Sequence, residues 1–113
     1  MRKAVFFRLK PGMADEYKRR HDAMPEDMRT VLMEAGFKNY SIWRVDNLLF
    51  AYYELEDEER MSEVLRSSPV YARWRVWMED VVALDRDGQK EWPMELMFLH
   101  GGGWYDEVRG DFT

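Results

Sequence analysis

Phe37-Lys38-Asn39-Tyr40-Ser41-Ile42-Trp43-Arg44 and Leu48-Leu49-Phe50-Ala51-Tyr52-Tyr53-Glu54-Leu55, joined by Val45-Asp46-Asn47, are the stretch that decides the fold. Both runs are rich in aromatic and aliphatic strand formers, and the connection between them is short and polar, which is the pattern of a β-hairpin. Upstream, Lys3-Ala4-Val5-Phe6-Phe7-Arg8-Leu9 reads as a first strand closed by the turn signal Pro11-Gly12. Between strand and hairpin, Tyr17, His21, Met24, Met28, Val31, Leu32 and Ala35 recur at helical spacing, and Gly36 supplies a stop. Downstream, residues 57 to 67 carry a charged helix with Met61, Val64 and Leu65 inward. Ser68-Pro69 then opens a second helical stretch to about Val82 with the stripe Val70, Trp74, Trp77, Met78, Val81. The apolar run Met94 to Leu99 reads as a last strand. The order β-α-β-β-α-β is the ferredoxin-like plan, an α+β fold with an antiparallel sheet and its helices on one face.

A chain of 113 residues fits one domain, expected over residues 1–100, with 101–113 as a C-terminal tail opened by Gly101-Gly102-Gly103. The chain has no cysteine, which excludes disulfides, thiolate nucleophiles and iron–sulfur clusters. Its 22 acidic and 17 basic residues give a net charge of -5, and the basic residues are scattered, which argues against nucleic acid or an anionic membrane as partner. The first apolar run stops at Arg8, so a soluble, cytoplasmic protein is expected. Ala4 and Phe6 against Val5 and Phe7, and Leu48, Phe50 and Tyr52 against Leu49, Ala51 and Tyr53, make two strands apolar on both faces. Helices cover one face only, so a homodimer packed through the sheets is expected.

Asp15-Glu16-Tyr17-Lys18-Arg19-Arg20-His21 places a tyrosine and one of only two histidines on the same helix face. Histidine gives and takes a proton near neutrality, and a neighbouring hydroxyl can hold a polar ligand. By periodicity alone, a partly buried structural histidine and a core tyrosine are the commoner outcomes. Pro25 has no amide hydrogen for the carbonyl of His21, and Glu26 and Asp27 suit the first turn of a new helix, so a break falls between His21 and Pro25. His21 then sits at a helix C-terminus, where the dipole favours the protonated imidazole of a general acid. Trp74, Arg75 and Trp77 could form a carbohydrate shelf, although their spacing favours core tryptophans beside a solvated arginine. Tyr40 has the same ambiguity, and Asn39 and Arg44 are further polar positions on its strand. His100 is the rival histidine. No spacing supports a metal site, no glycine loop suits a phosphate, and Glu26, Asp27, Glu58 and Glu59 read as helix starts.

Arg2-Lys3-Ala4, Glu16-Tyr17-x-Arg19-Arg20-His21 with Pro25, Asn39-Tyr40-x-Ile42, Asn47-Leu48-Leu49-Phe50-Ala51, Glu58-Glu59-Arg60, and Arg73-Trp74 with Met78 together resemble the L-rhamnose mutarotase family. The resemblance extends over residues 2 to about 99. It implies a dimeric ferredoxin-like α/β barrel that interconverts the α and β anomers of L-rhamnose or a related deoxy sugar, without a cofactor. It also implies a proton-donating histidine at His21, substrate-binding tyrosines at Tyr17 and Tyr40, and a sugar-holding pair at Trp74 and position 75. Arg75 departs from the aromatic residue of the family, the hairpin connection is shorter, and the tail is longer. The partner base stays open among Tyr17, a bound water and a group of a second chain. Two other readings fit a barrel of this kind: a cofactor-independent monooxygenase or haem-binding protein, and a non-catalytic small-molecule binding module.

Overall fold

The sheet is built around β1 (Arg2–Arg8), in a computed structural model that describes residues 1–84, 88 and 90–100; the expected tail 101–113 lies outside the described residues. β2 (Lys38–Val45) and β3 (Leu48–Glu54) form the hairpin, β4 (Glu91–Pro93) is the far edge, and the order is β2-β3-β1-β4 with every pairing antiparallel. Helices α1 (Ala14–Asp22) and α2 (Glu26–Glu34) precede the hairpin; α3 (Glu58–Ser67) and α4 (Pro69–Met78) follow it. This is the ferredoxin-like arrangement expected from the order of elements.

Val45 pairs with Leu48, so Asp46-Asn47 alone make the hairpin turn, with Asp46 at φ 51°. In β2 the register slips between Lys38 and Ser41, where Asn39 adopts φ 51° and donates from Nδ2 to Glu54 Oε1 at 3.0 Å. This bulge supplies the extra residue and bends the strand beside Tyr40.

The two faces alternate as their sequence does. Phe7, Leu9, Leu49 and Ala51 are buried against Tyr17, Met78 and Val81, with Val5, Ile42 and Trp74 packed at the margin. Each large apolar side chain withdrawn from water in this way contributes roughly 1.5–3 kcal/mol. On the opposite face Phe6 stacks on Trp92 at 5.0 Å and lies 6.2 Å from Phe50, and the Arg8 guanidinium sits 5.5 Å over the first two rings. Trp43, on the same face of β2, remains 69% exposed.

The helical stretch breaks where proline requires it. α1 ends at Asp22, the His21 carbonyl accepts from Met24 N–H at 3.1 Å, and Pro25 caps α2, whose first turn holds Glu26 and Asp27. α2 ends in a Schellman turn: Phe37 N–H reaches Leu32 O at 3.1 Å, Gly36 N–H reaches Met33 O at 3.0 Å, and Gly36 lies at φ 89°. Asp57 and Ser68 cap α3 and α4 by accepting from the amides of Arg60 and Tyr71.

Two expectations are corrected. α4 stops at Met78, short of Val82, so Val81 enters the core from the turn after the helix, and Trp77 is 40% exposed instead of packed on the stripe. The last strand is Glu91–Pro93, upstream of the apolar run Met94 to Leu99. Pro93 is tolerated because β4 is an edge strand. With Val5 opposite Pro93, only the first residues of β1 remain to pair with the run, and among the described residues Met94 N–H donates to Ala4 O at 2.7 Å. Among the described residues, no helix is long and apolar enough to cross a membrane.

A Cβ at Gly36 would meet nothing within 4 Å, so Gly36→Ala tests the left-handed backbone without a steric clash. Urea unfolding is expected to show a loss of about 1–2 kcal/mol; an unchanged midpoint would show that the turn is not under this constraint.

Candidate active site

α1 brings Tyr17 and His21 to one end of the helix layer. Their rings stack, with centroids 4.2 Å apart and planes at 28°, and the edge of Trp74 from α4 meets the imidazole at 5.1 Å and 86°. Imidazole Nδ1 lies 3.1 Å from the Tyr17 carbonyl oxygen. A carbonyl can only accept, so Nδ1 carries the hydrogen, and in the neutral ring Nε2 holds the free lone pair. Burial pushes the His21 pKa below its ordinary 6.5, against the opposing pull of that hydrogen bond and of Asp22. Desolvation, the largest of these influences, favours the neutral ring, opposite in direction to the pull expected from the helix end.

A cavity of about 830 Å³ opens beside these rings, and all five expected site residues line it: Tyr17, His21, Tyr40, Trp74 and Arg75. Tyr17 is buried, and its hydroxyl is pushed well above the usual tyrosine range by desolvation, with smaller contributions from Tyr40 and Glu91. Tyr40 reaches the cavity from the bulged strand and packs on Phe37 and Tyr53, each at 5.2 Å. Its hydroxyl is raised by burial first and by Glu91 second. Both tyrosines are thus held as protonated donors at neutral pH. Arg75 rests 5.9 Å over the Tyr71 ring.

α1 is tied down by Arg20, one residue before the histidine and only 8% exposed. Its guanidinium donates to Asp80 Oδ1 at 2.6 Å and Oδ2 at 3.2 Å, to Trp77 O at 2.6 Å and to Glu16 Oε2 at 3.1 Å, and lies 5.4 Å over the Trp77 ring. Hydrogen bonds from Arg19 and then Arg20 hold the Glu16 carboxyl down at about 2 despite its desolvation. Trp77 therefore covers this clamp and is not part of the shelf beside Trp74. Asn39 and Arg44 also serve the fold, through Glu54 and the Asp46 carbonyl, and His100 is exposed outside the cavity. Among the described residues, no three potential ligands gather to hold a metal.

The chain matches the L-rhamnose mutarotase family over residues 2–100. An L-rhamnose mutarotase of Escherichia coli O1:K1 is 38% identical over 89 residues, which cover 77% of this chain and 85% of that protein. The chain belongs to the L-rhamnose mutarotase family. A solved L-rhamnose mutarotase from Formosa agariphila superposes with a TM-score of 0.75 at 25% identity, covering 88% of this chain and 98% of the other. The tetracenomycin F2 cyclase of Streptomyces glaucescens shares the fold alone, with a TM-score of 0.64 at 17% identity, covering 91% and 99%. Family membership makes the chain an isomerase of the anomeric carbon; the monooxygenase, haem-binding and binding-module readings are not favoured.

Sequence reasoning missed four cavity residues: Arg29, Tyr71, Lys90 and Glu91. Glu91 was hidden because the last strand was expected further on. The alternation of Glu91 with Trp92 in front of an edge-compatible proline was the available signal. Glu91 is opposite Phe7, on the helix side of the sheet, and burial raises its carboxyl above the ordinary range.

In an NMR titration, the His21 ring is expected to protonate with a midpoint below 6.5. A midpoint at or above 6.5 would show the helix dipole prevailing over burial.

Proposed function

We propose that this protein exchanges the α and β anomers of L-rhamnose or a closely related deoxy sugar, with His21 as the proton carrier and Tyr17, Tyr40, Trp74 and Arg75 holding the sugar. The observation that carries this reading is the His21 ring itself. Its Nδ1–H is committed to the Tyr17 carbonyl, the ring lines the cavity, and among the described residues nothing bonds Nε2.

Opening a pyranose requires removal of the proton from the anomeric hydroxyl and delivery of one to the ring oxygen. Nε2 takes the hydroxyl proton as the O–H electrons form the carbonyl, the bond from the anomeric carbon to the ring oxygen breaks, and its pair stays on that oxygen. The imidazolium then returns the proton to the ring oxygen. Both oxygens are bonded to one carbon, so one nitrogen can serve both in turn. Rotation about the adjacent carbon–carbon bond exposes the other carbonyl face, and the same steps in reverse close the opposite anomer. Tyr17 and Tyr40, held protonated, donate to sugar oxygens, and the Trp74 face takes an apolar C–H face of the ring. Arg75 donates to hydroxyls. This chemistry calls for no cofactor.

We further read the protein as a cytoplasmic homodimer closed through the open sheet face. Support comes from the apolar character of that face, where Phe6, Phe50 and Trp92 gather and Trp43 is left largely in water. Sedimentation is expected to give twice the mass of one chain, and Trp43→Glu to shift the population toward monomer; a wild-type monomer would contradict this assembly.

NMR saturation transfer on L-rhamnose is expected to show His21→Ala losing at least about 100-fold of the catalysed exchange. The sign of the pH dependence follows from the same ring. Below its lowered pKa Nε2 is protonated and cannot accept, so exchange should fall on the acid side with an apparent midpoint under 6.5. Equal rates for wild type and His21→Ala would overturn the proposed role.

A further inference from the structure

The charge of the cavity wall goes beyond what a neutral deoxy sugar needs. In a chain of net charge -5, three cations from three separate segments line this one concavity: Arg29 on α2, Arg75 on α4 and Lys90 before β4. They face one carboxylate, Glu91, and the neutral ring of His21. Among the described residues none of the three cations forms an ion pair, a property they share with Arg8, Lys10, Arg44, Arg60 and Arg66; what sets the three apart is that they line one concavity. Arg75 is held along the wall by the Tyr71 ring, and it stands where the family resemblance called for a second flat aromatic surface.

We propose that the cavity selects a pyranose carrying an anionic group on its exocyclic carbon, specifically the carboxylate of a hexuronate, bound by Arg29, Arg75 and Lys90 beside His21. The inference rests on the reading of this site as one that exchanges anomers through His21, and changes its preferred substrate from a deoxyhexose to a hexuronate, with L-rhamnose as the poorer substrate. A hexuronate has a carboxylate where a deoxyhexose such as L-rhamnose has a methyl group, and in either pyranose the exocyclic-bearing carbon and the anomeric carbon flank the ring oxygen, so cations holding the exocyclic group leave the anomeric centre for His21. A guanidinium meets a carboxylate through two parallel, charge-assisted hydrogen bonds, whereas a methyl group gives it nothing to bond. Glu91 opposes an anion, yet the three cations outweigh its single charge. Arg75, where the family resemblance implies an aromatic residue, changes the wall from one that stacks on a sugar face to one that recognises a charge.

The test is NMR measurement of anomer exchange by the full chain on L-rhamnose, D-galacturonate, D-glucuronate and D-glucose 6-phosphate, each at low and high salt. At least one uronate is expected to be exchanged with kcat/KM ten-fold or more above that of L-rhamnose. Salt should reduce the uronate rate and spare the L-rhamnose rate. Arg29→Gln, and independently Lys90→Gln, should lower the ratio of uronate to L-rhamnose kcat/KM ten-fold or more. Catalysed exchange of L-rhamnose without that of either uronate would overturn the proposal and leave the mutarotase reading standing. Preference for the 6-phosphate over both uronates would overturn the carboxylate assignment. Failure to accelerate any of the four sugars would remove the mutarotase reading and this inference together.

Discussion

The first helix cannot continue through Pro25, and the site follows from that constraint. Without an amide hydrogen at residue 25, the His21 carbonyl turns to Met24 N–H, α1 ends after Asp22, and α2 leaves in a new direction. The cavity lies where both helices meet the sheet and α4, with Tyr17 and His21 contributed by α1, Met28 and Arg29 by α2, Tyr40 by β2 and Trp74 by α4. A continuous helix would have buried His21 as one more position on an apolar stripe. The short α1 that results is fixed by its neighbours: Tyr17 enters the core below, and Arg20 ties the helix to Asp80 and the Trp77 carbonyl above.

Burial then decides what the histidine is. At the end of a helix an exposed imidazole would gain a proton, but here Tyr17 and Trp74 enclose the ring and desolvation lowers its pKa. The hydrogen bond to the Tyr17 carbonyl assigns the tautomer without protonating the ring. On the proposed reading a neutral Nε2 is base first and acid second, and the tyrosine hydroxyls, raised above their ordinary range by desolvation, suit donation to the sugar.

The fold was legible because its signals are local. The hairpin run, Pro25, Gly36 and Ser68-Pro69 each act on backbone within a few residues, and each element begins or ends where that chemistry requires. The opposite is true of the misread parts. The run Met94 to Leu99 has strand composition, but pairing depends on how much of β1 is left after Val5 meets Pro93, which is a matter of register between distant segments. Trp77 sits at core spacing, yet the buried guanidinium of Arg20, 57 positions earlier, claims its carbonyl and its ring. Arg29, Lys90 and Glu91 look like solvated charges in the sequence, and only the closing of the sheet against the helices shows that they face the same space as His21.

The account stands most directly on the protonation of one ring. Nitrogen-15 NMR of His21 at neutral pH is expected to show Nδ1 bearing the hydrogen and Nε2 as an unprotonated, pyridine-like nitrogen. A ring protonated at Nε2 alone, or a doubly protonated imidazolium at that pH, would contradict it.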